Sequence, residues 1–304
     1  MNVSMMDSYN LAWKLAYRIN GLIPEPLDGA PDPLLDTYQT ERRNIAQELI
    51  AFDKAFSSMF SGKIGSTEDG AQGLTHEEFL EVFSRGNGFT SGCGIEYPEN
   101  IAVNRTPEGL ENPIIGTNYL SGILRPGRRL LNVRVIRHAD GCPRDLQDGM
   151  FPPQMPHEMR GDLFAHSIID FASTGRFRIL CLTSSDLLEP RGTSFKTLTA
   201  LGEMIQQFPD SLVEQVVVHP HLPRPFMWHD IPREVKNFSE MSFYSGQEKE
   251  DVYTIYGVDP KRGALAVVRP DGYIGTIAEL GDVVRVSEFL GGLIKRKKER
   301  RRQP

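Results

Sequence analysis

Cysteine is scarce in this sequence: there are three in 304 residues, Cys93, Cys142 and Cys181, with no CxxC pair among them. So few and so widely spaced, they fit neither a disulfide framework nor a zinc site, and a reducing, cytoplasmic setting is expected. Long hydrophobic runs are absent too. No stretch approaches the roughly 18 apolar residues that would span a bilayer, and the first residues lack the basic start and apolar stretch of a secretory signal. Nowhere are bases interleaved with aromatics in the pattern of a nucleic-acid surface. Neither a membrane nor a nucleic acid is therefore an expected partner. The dinucleotide-binding turn GxGxxG is missing, and no constellation of residues names a catalytic group or a metal site.

What is present is ordinary for a globular protein: 39% hydrophobic, 24% charged and 9% aromatic residues, in a chain long enough for two domains with real cores. The net charge of −6 hides an asymmetry. Residues 295–302 hold seven bases and one acid, which leaves the rest of the chain near −12. A basic end of this kind can serve as a nuclear address or a polyanion contact. The simpler reading is a solvated, disordered tail over residues 295–304.

The first half reads as helical. Residues 2–19 place Met5, Tyr9, Ala12, Ala16 and Ile19 at helical spacing, and Met6, Trp13 and Tyr17 widen the apolar face. Only Asp7, Asn10, Lys14 and Arg18 remain as a narrow polar stripe, which predicts a helix nearly surrounded by protein. Asp32-Pro33 then supplies a cap and a first-turn proline. From there Leu35, Tyr38, Arg42, Ile45, Leu49, Phe52, Phe56 and Met59 alternate spacings of three and four until Gly62, a long amphipathic helix with one cation in its apolar stripe. Arg42 is expected to lay its stem on the core and offer its head to water or a carboxylate. A capping box, Thr75-x-x-Glu78, opens a third helix. Residues 86–128, rich in Gly, Asn and Pro, read as irregular structure ending in a linker.

Beyond the linker the period changes. Residues 130–137 and 176–183 alternate as strands, with a proline-rich loop at 143–156 between them. Thr193 is expected to cap a helix carrying Leu198, Leu201, Ile205 and Phe208, and a third strand covers 212–219. After a long loop, strands at 264–268 and 273–277 flank Arg269-Pro270-Asp271-Gly272, a strong hairpin turn. Asp282 opens a last helix with Val286, Phe289, Leu290 and Leu293 on one side. Strand, helix, strand, hairpin, helix, with one right-handed crossover, is the thioredoxin-like arrangement. Redox-active members of that fold carry CxxC between the first strand and its helix. Here that stretch, 184–192, has no cysteine, and Arg262-Gly263-Ala264 stands where a proline would precede the hairpin. Without a low-pKa thiol no thiol–disulfide exchange is expected, and Cys181 reads as an inert core residue.

Two stretches carry a family resemblance. Met1-Asn2 followed by Asp7, Asn10-Leu11 and Trp13-Lys14-Leu15 resembles the last cofactor motif of flavin-dependent aromatic hydroxylases, MN-x-x-x-x-D-x-x-NL-x-WKL. Tyr256-Gly257-Val258-Asp259-Pro260, with Ala266-Val267-Val268-Arg269-Pro270-Asp271-Gly272-Tyr273, resembles the carboxyl-terminal, thioredoxin-like domain of the phenol hydroxylases. Between them, Leu35-Asp36-Thr37-Tyr38-Gln39-Thr40-Glu41-Arg42-Arg43 and residues 175–180 also fit, so the resemblance runs in order along nearly the whole chain.

The resemblance implies an α/β (α+β) protein. A helical remnant of an FAD-binding hydroxylase domain would occupy 1–120, a thioredoxin-like dimerisation domain lacking CxxC would occupy 121–294, and the basic tail 295–304. It implies a homodimer, FAD as cofactor, NADPH and dioxygen as co-substrates, and hydroxylation of a phenolic compound. In the family the backbone at the Met-Asn pair faces the pyrimidine edge of the flavin, so Met1 and Asn2 are the expected cofactor contacts. A helix start supplies unpaired N–H groups and the positive end of the helix dipole there. Asp7 and Asn10 are expected to cap or pack that helix. The glycine turn, the GD motif and the acid, tyrosine and arginine of the family's phenol pocket have no counterpart in these 304 residues. The chain therefore reads as a fragment, inactive alone. The alternative is a non-catalytic dimerisation or interaction module.

Overall fold

The computed structural model describes residues 2–26, 29–61, 95–105, 124–131, 133–138, 143–145, 175–220, 226–236, 243–246 and 251–297. Met1, the helix expected at Thr75, Cys93, Cys142 and most of 86–128 lie outside the described residues. The chain opens with α1 (Asn2–Ile19) and α2 (Pro33–Ser61), as their periodicity predicts. Asp32 caps α2, its Oδ1 accepting from the N–H groups of Leu34 at 2.9 Å and Leu35 at 3.2 Å.

The face of α2 that packs inward differs from the predicted stripe. Leu34, Thr37, Glu41, Arg42 and Ile45 are buried, whereas Leu35 and Tyr38 are only half-buried. The apolar pattern points one position away because two polar residues, Thr37 and Glu41, occupy the inward turns. Nor is α1 enclosed. Met6, Asn10, Trp13, Lys14 and Tyr17 are buried along one side, while Met5, Ala12, Leu15, Ala16 and Ile19 are exposed along the other.

A seven-stranded mixed sheet forms the rest, with β1 (Arg134–Arg137), β2 (Pro143–Asp145), β3 (Phe177–Leu182), β4 (Val213–His219), β5 (Phe243–Gly246), β6 (Ala264–Val268) and β7 (Ile274–Ala278). Their order is β2-β1-β5-β4-β3-β6-β7. Strands β3 and β4 are parallel, joined by α3 (Thr193–Ile205). Strand β6 lies antiparallel on the other side of β3 and turns back into β7, and α6 (Val283–Leu293) closes the chain. From β3 onward the order is strand, helix, strand, then a further strand before the hairpin and the last helix. The sequence missed β2, which falls where a loop was expected. It also missed β5 and two short helices, α4 (Arg233–Lys236) and α5 (Val252–Tyr256). These are three to five residues long, too short for periodicity to register. The strand expected at 130–137 begins only at Arg134.

Both faces of the sheet are covered, which explains why its central strands read as nearly continuous apolar runs. Ile179, Cys181, Val217, Leu265 and Val267 face one core with Leu198, Leu201, Val286 and Leu290; Leu180, Leu182, Val216, Val218 and Ala266 face the other with Tyr253 and Tyr256. The α1 helix joins the first core. Trp13, Tyr17 and Phe177 meet edge to face, their ring centroids 5.6 to 5.9 Å apart. The basic end is anchored at its root. Lys295 N–H donates to the Leu22 carbonyl at 2.8 Å and Lys297 N–H to that of Gln207 at 2.7 Å. Lys295 and Lys297 also pair with Glu25 and Asp210. Residues 295–297 are therefore tied to the body, with Arg296 and Lys297 still exposed to solvent.

Candidate functional site

At the junction between β3 and α3, where the sequence offers no cysteine, the structure places a carboxylate. Thr193 was expected to cap α3, yet it is the first helical residue, and Gly192 at the cap position has no side chain to offer. Asp186 does the capping from six residues upstream. It accepts from the N–H groups of Thr193 at 2.6 Å and Ser194 at 3.2 Å, and from the hydroxyls of Ser184 and Ser194. Burial would raise this carboxyl, but the two hydroxyls and two amides together hold it below its ordinary range. Gly192 fits because a Cβ there would come within 2.7 Å of the Asp186 carbonyl oxygen. Gly263, in place of the expected proline, adopts φ +66°, and a Cβ on it would meet the Leu182 carbonyl oxygen at 2.4 Å. The backbone there closes against the end of β3. Cys181 is fully buried, and burial pushes its thiol far above the ordinary range. Among the described residues, nothing at this pole can exchange disulfides.

The more unusual chemistry lies between α1, α2 and the β6–β7 turn. Lys14, Glu41, Arg269 and Asp271 are all buried, the four charges cancelling in sum. Arg269 reaches Glu41 with both terminal nitrogens, at 2.6 and 2.9 Å, and Asp271 with Nε and Nη2, at 3.0 and 2.6 Å. Lys14 Nζ donates to Glu41 Oε2 at 2.9 Å and to Asn10 Oδ1 at 2.7 Å. Asn10 Nδ2 faces Glu41 at 2.8 Å and Asp271 at 3.1 Å, and Trp13 Nε1 donates to Asp271 at 3.1 Å. The guanidinium is walled by the rings of Trp13, Tyr97 and Tyr273 at 5.3 to 5.9 Å. Next to this cluster, Arg42 donates to Asp7 at 2.5 Å and to the Tyr97 hydroxyl at 3.0 Å. Asp7 and Asn10 thus serve helix packing, through charge and amide, and neither is a cap.

The electrostatics follow from how the charges are shared. Burial alone would raise the Glu41 carboxyl, but Arg269, Lys14 and Asn10 overcome it and hold it at about 2. Burial lowers Lys14 to about 8, because Glu41 is shared with Arg269 and the guanidinium repels the ammonium. Arg269, with two carboxylates in its fork, is held firmly charged despite its burial. The residues of this cluster all sit within the quoted motif stretches, but nothing in their spacing shows that they meet.

In front of the cluster is the start of α1. Asn2 is its first residue, and its first turn holds no acidic side chain to occupy the free N–H groups. Comparison with known proteins bears on this end and on the sheet alike. Residues 165–298 match the family described as phenol hydroxylase, C-terminal dimerisation domain, and residues 1–53 match the family described as FAD binding domain. The resemblance to the carboxyl-terminal part of phenol hydroxylases holds. A phenol 2-monooxygenase of Aspergillus fumigatus is 32% identical over 303 residues, covering 96% of this chain and 44% of that protein. A flavin-dependent oxygenase of Aspergillus ustus is 28% identical, covering 97% and 41%, and the 3-hydroxybenzoate 4-monooxygenase of Comamonas testosteroni is 28% identical, covering 97% and 43%. The chain thus spans less than half the length of these relatives. Its FAD-binding match takes in α1 and most of α2, and its dimerisation match takes in β3 through α6.

Proposed function

We propose that this chain is the carboxyl-terminal portion of an FAD-dependent monooxygenase that hydroxylates a phenolic compound, with NADPH and dioxygen as co-substrates. The observation that carries the reading is the pair of family matches in family order, an FAD-binding segment at 1–53 and a dimerisation segment at 165–298. When bound, the flavin would supply the oxygen-transfer chemistry. What this chain brings to it is a helix start. The backbone at Met1 and Asn2 would donate to the pyrimidine edge, and the α1 dipole would favour negative charge there. The open first turn of α1, free of acidic side chains, fits that role.

Within the same reading, residues 1–120 belong to the hydroxylase domain and 121–294 form a thioredoxin-like dimerisation domain. The parallel β3–β4 pair around α3, the β6–β7 hairpin and the closing α6 support the fold assignment. Asp186 in place of a thiol supports a purely structural role for it. The protein would act as a homodimer in the cytoplasm, and no helix among the described residues is long and apolar enough to cross a membrane. The test is the product of the intact gene purified from its source. Bound flavin and phenol-dependent NADPH oxidation in a species well above 34.2 kDa support the reading. A flavin-free 34.2 kDa product would favour a non-catalytic dimerisation module instead.

A further inference from the structure

We infer that Arg269 and Asp271, in the β6–β7 turn, are positioning residues for α1. The turn reaches into the α1–α2 pair and fixes where the first turn of α1 sits. Three observations carry this. Four hydrogen bonds of the buried cluster join residues 10–41 to residues 269–271, more than 220 positions apart in sequence. The contacts are made by α1 itself, through Asn10 and Trp13, as well as through Glu41 of α2. The turn also grips the helix at the residue before Asn10, where Tyr9 Oη donates to the Pro270 carbonyl at 2.7 Å. One side of α1 is exposed, and its far half packs on β3 through Trp13 and Tyr17, so the turn and α2 are what hold the half nearer its start.

The geometry is selective for a guanidinium. A single planar fork spans two carboxylates from two elements, which a point-charge ammonium cannot do at four positions. Breaking the fork leaves buried carboxylates short of donors, a costly state that the helix relieves by leaving the turn. Taken with the reading of α1 as the helix that faces the flavin, the inference makes the dimerisation segment the part that sets the flavin-edge donors.

The test uses the 304-residue protein and no flavin, so its failure would leave the flavin reading untouched. Amide hydrogen exchange is measured for α1 and for β3–β4 in the parent, Arg269→Met, Arg269→Lys and Tyr9→Phe. Arg269→Met is expected to speed α1 exchange by about 100-fold or more while β3–β4 change little. Arg269→Lys is expected to recover part of the protection, since it restores charge without the fork. Should Arg269→Met not fold, Tyr9→Phe removes one turn-to-helix bond and is expected to speed exchange in α1 alone. Equal acceleration of α1 and β3–β4, or α1 protection indifferent to charge at position 269, would overturn the inference.

Discussion

Glu41→Gln is the substitution that most sharply tests the buried cluster. The carboxylate takes five donors: two from Arg269, one from Lys14, one from Asn10 and one from Asn100 at 3.1 Å. A neutral amide keeps the shape but turns an N–H₂ group toward cations and leaves Lys14 and Arg269 with only Asp271 for compensation. Removing one partner of a buried ion pair costs about 3–5 kcal/mol. The protonation equilibrium gives a second route to the magnitude. A carboxyl held at about 2 when folded, against an ordinary 4.5, contributes on the order of 3 kcal/mol at neutral pH. Urea unfolding at pH 7 should therefore show a midpoint lower by roughly 1 M with little change in slope. The pH dependence has a definite sign. Because the folded carboxyl is the stronger acid, its contribution is complete above 4.5 and is lost as pH falls toward about 2. The gap between parent and variant should close over that window. A loss under about 1 kcal/mol at pH 7, or a gap that does not narrow with acid, would refute the assignment of Glu41 as the shared anion of the cluster.

Three further outcomes are expected. Asp186→Ala should destabilise the protein by about 1–2 kcal/mol, the upper range for a helix cap, because two amides and two hydroxyls lose their acceptor; an unchanged thermal midpoint would count against the capping role. In an insulin-reduction assay the protein should show no turnover, and Cys181→Ala should not alter that; activity that depends on Cys181 would contradict a buried, inert thiol. Sedimentation at micromolar concentration should give a dimer, as the dimerisation match at 165–298 suggests, and a clean monomer would argue against it.

The elements that build the sheet were legible because they are long and flanked by strong punctuation. The Arg269–Gly272 turn, the Asp282 cap and the apolar runs of β3 and β4 each point to one local structure. The edge of the sheet was not legible. Strand β2 begins at a proline and has three residues, so local chemistry says loop, and only pairing with β1 makes it a strand. The buried cluster was hidden for a different reason. Lys14, Glu41, Arg269 and Asp271 each look like a solvated or turn residue taken singly. Their burial is a consequence of tertiary packing, in which each charge is paid for by a partner far along the chain. The same holds for Asp186, whose place at the start of α3 depends on the loop folding back through Gly192.

In the proposed enzyme these residues would contribute a flavin-facing helix start and a dimerisation unit, and other elements would hold the adenosine and pyrophosphate of FAD. A helix terminus contributes about 1–2 kcal/mol toward an anionic partner, whereas micromolar affinity needs about 8 kcal/mol. The direct measurement is flavin content per polypeptide, from visible absorbance, for the purified 304-residue chain and for the intact gene product side by side. The expected result is a colourless 304-residue protein and a yellow intact product. Stoichiometric flavin on the 304-residue chain would contradict it.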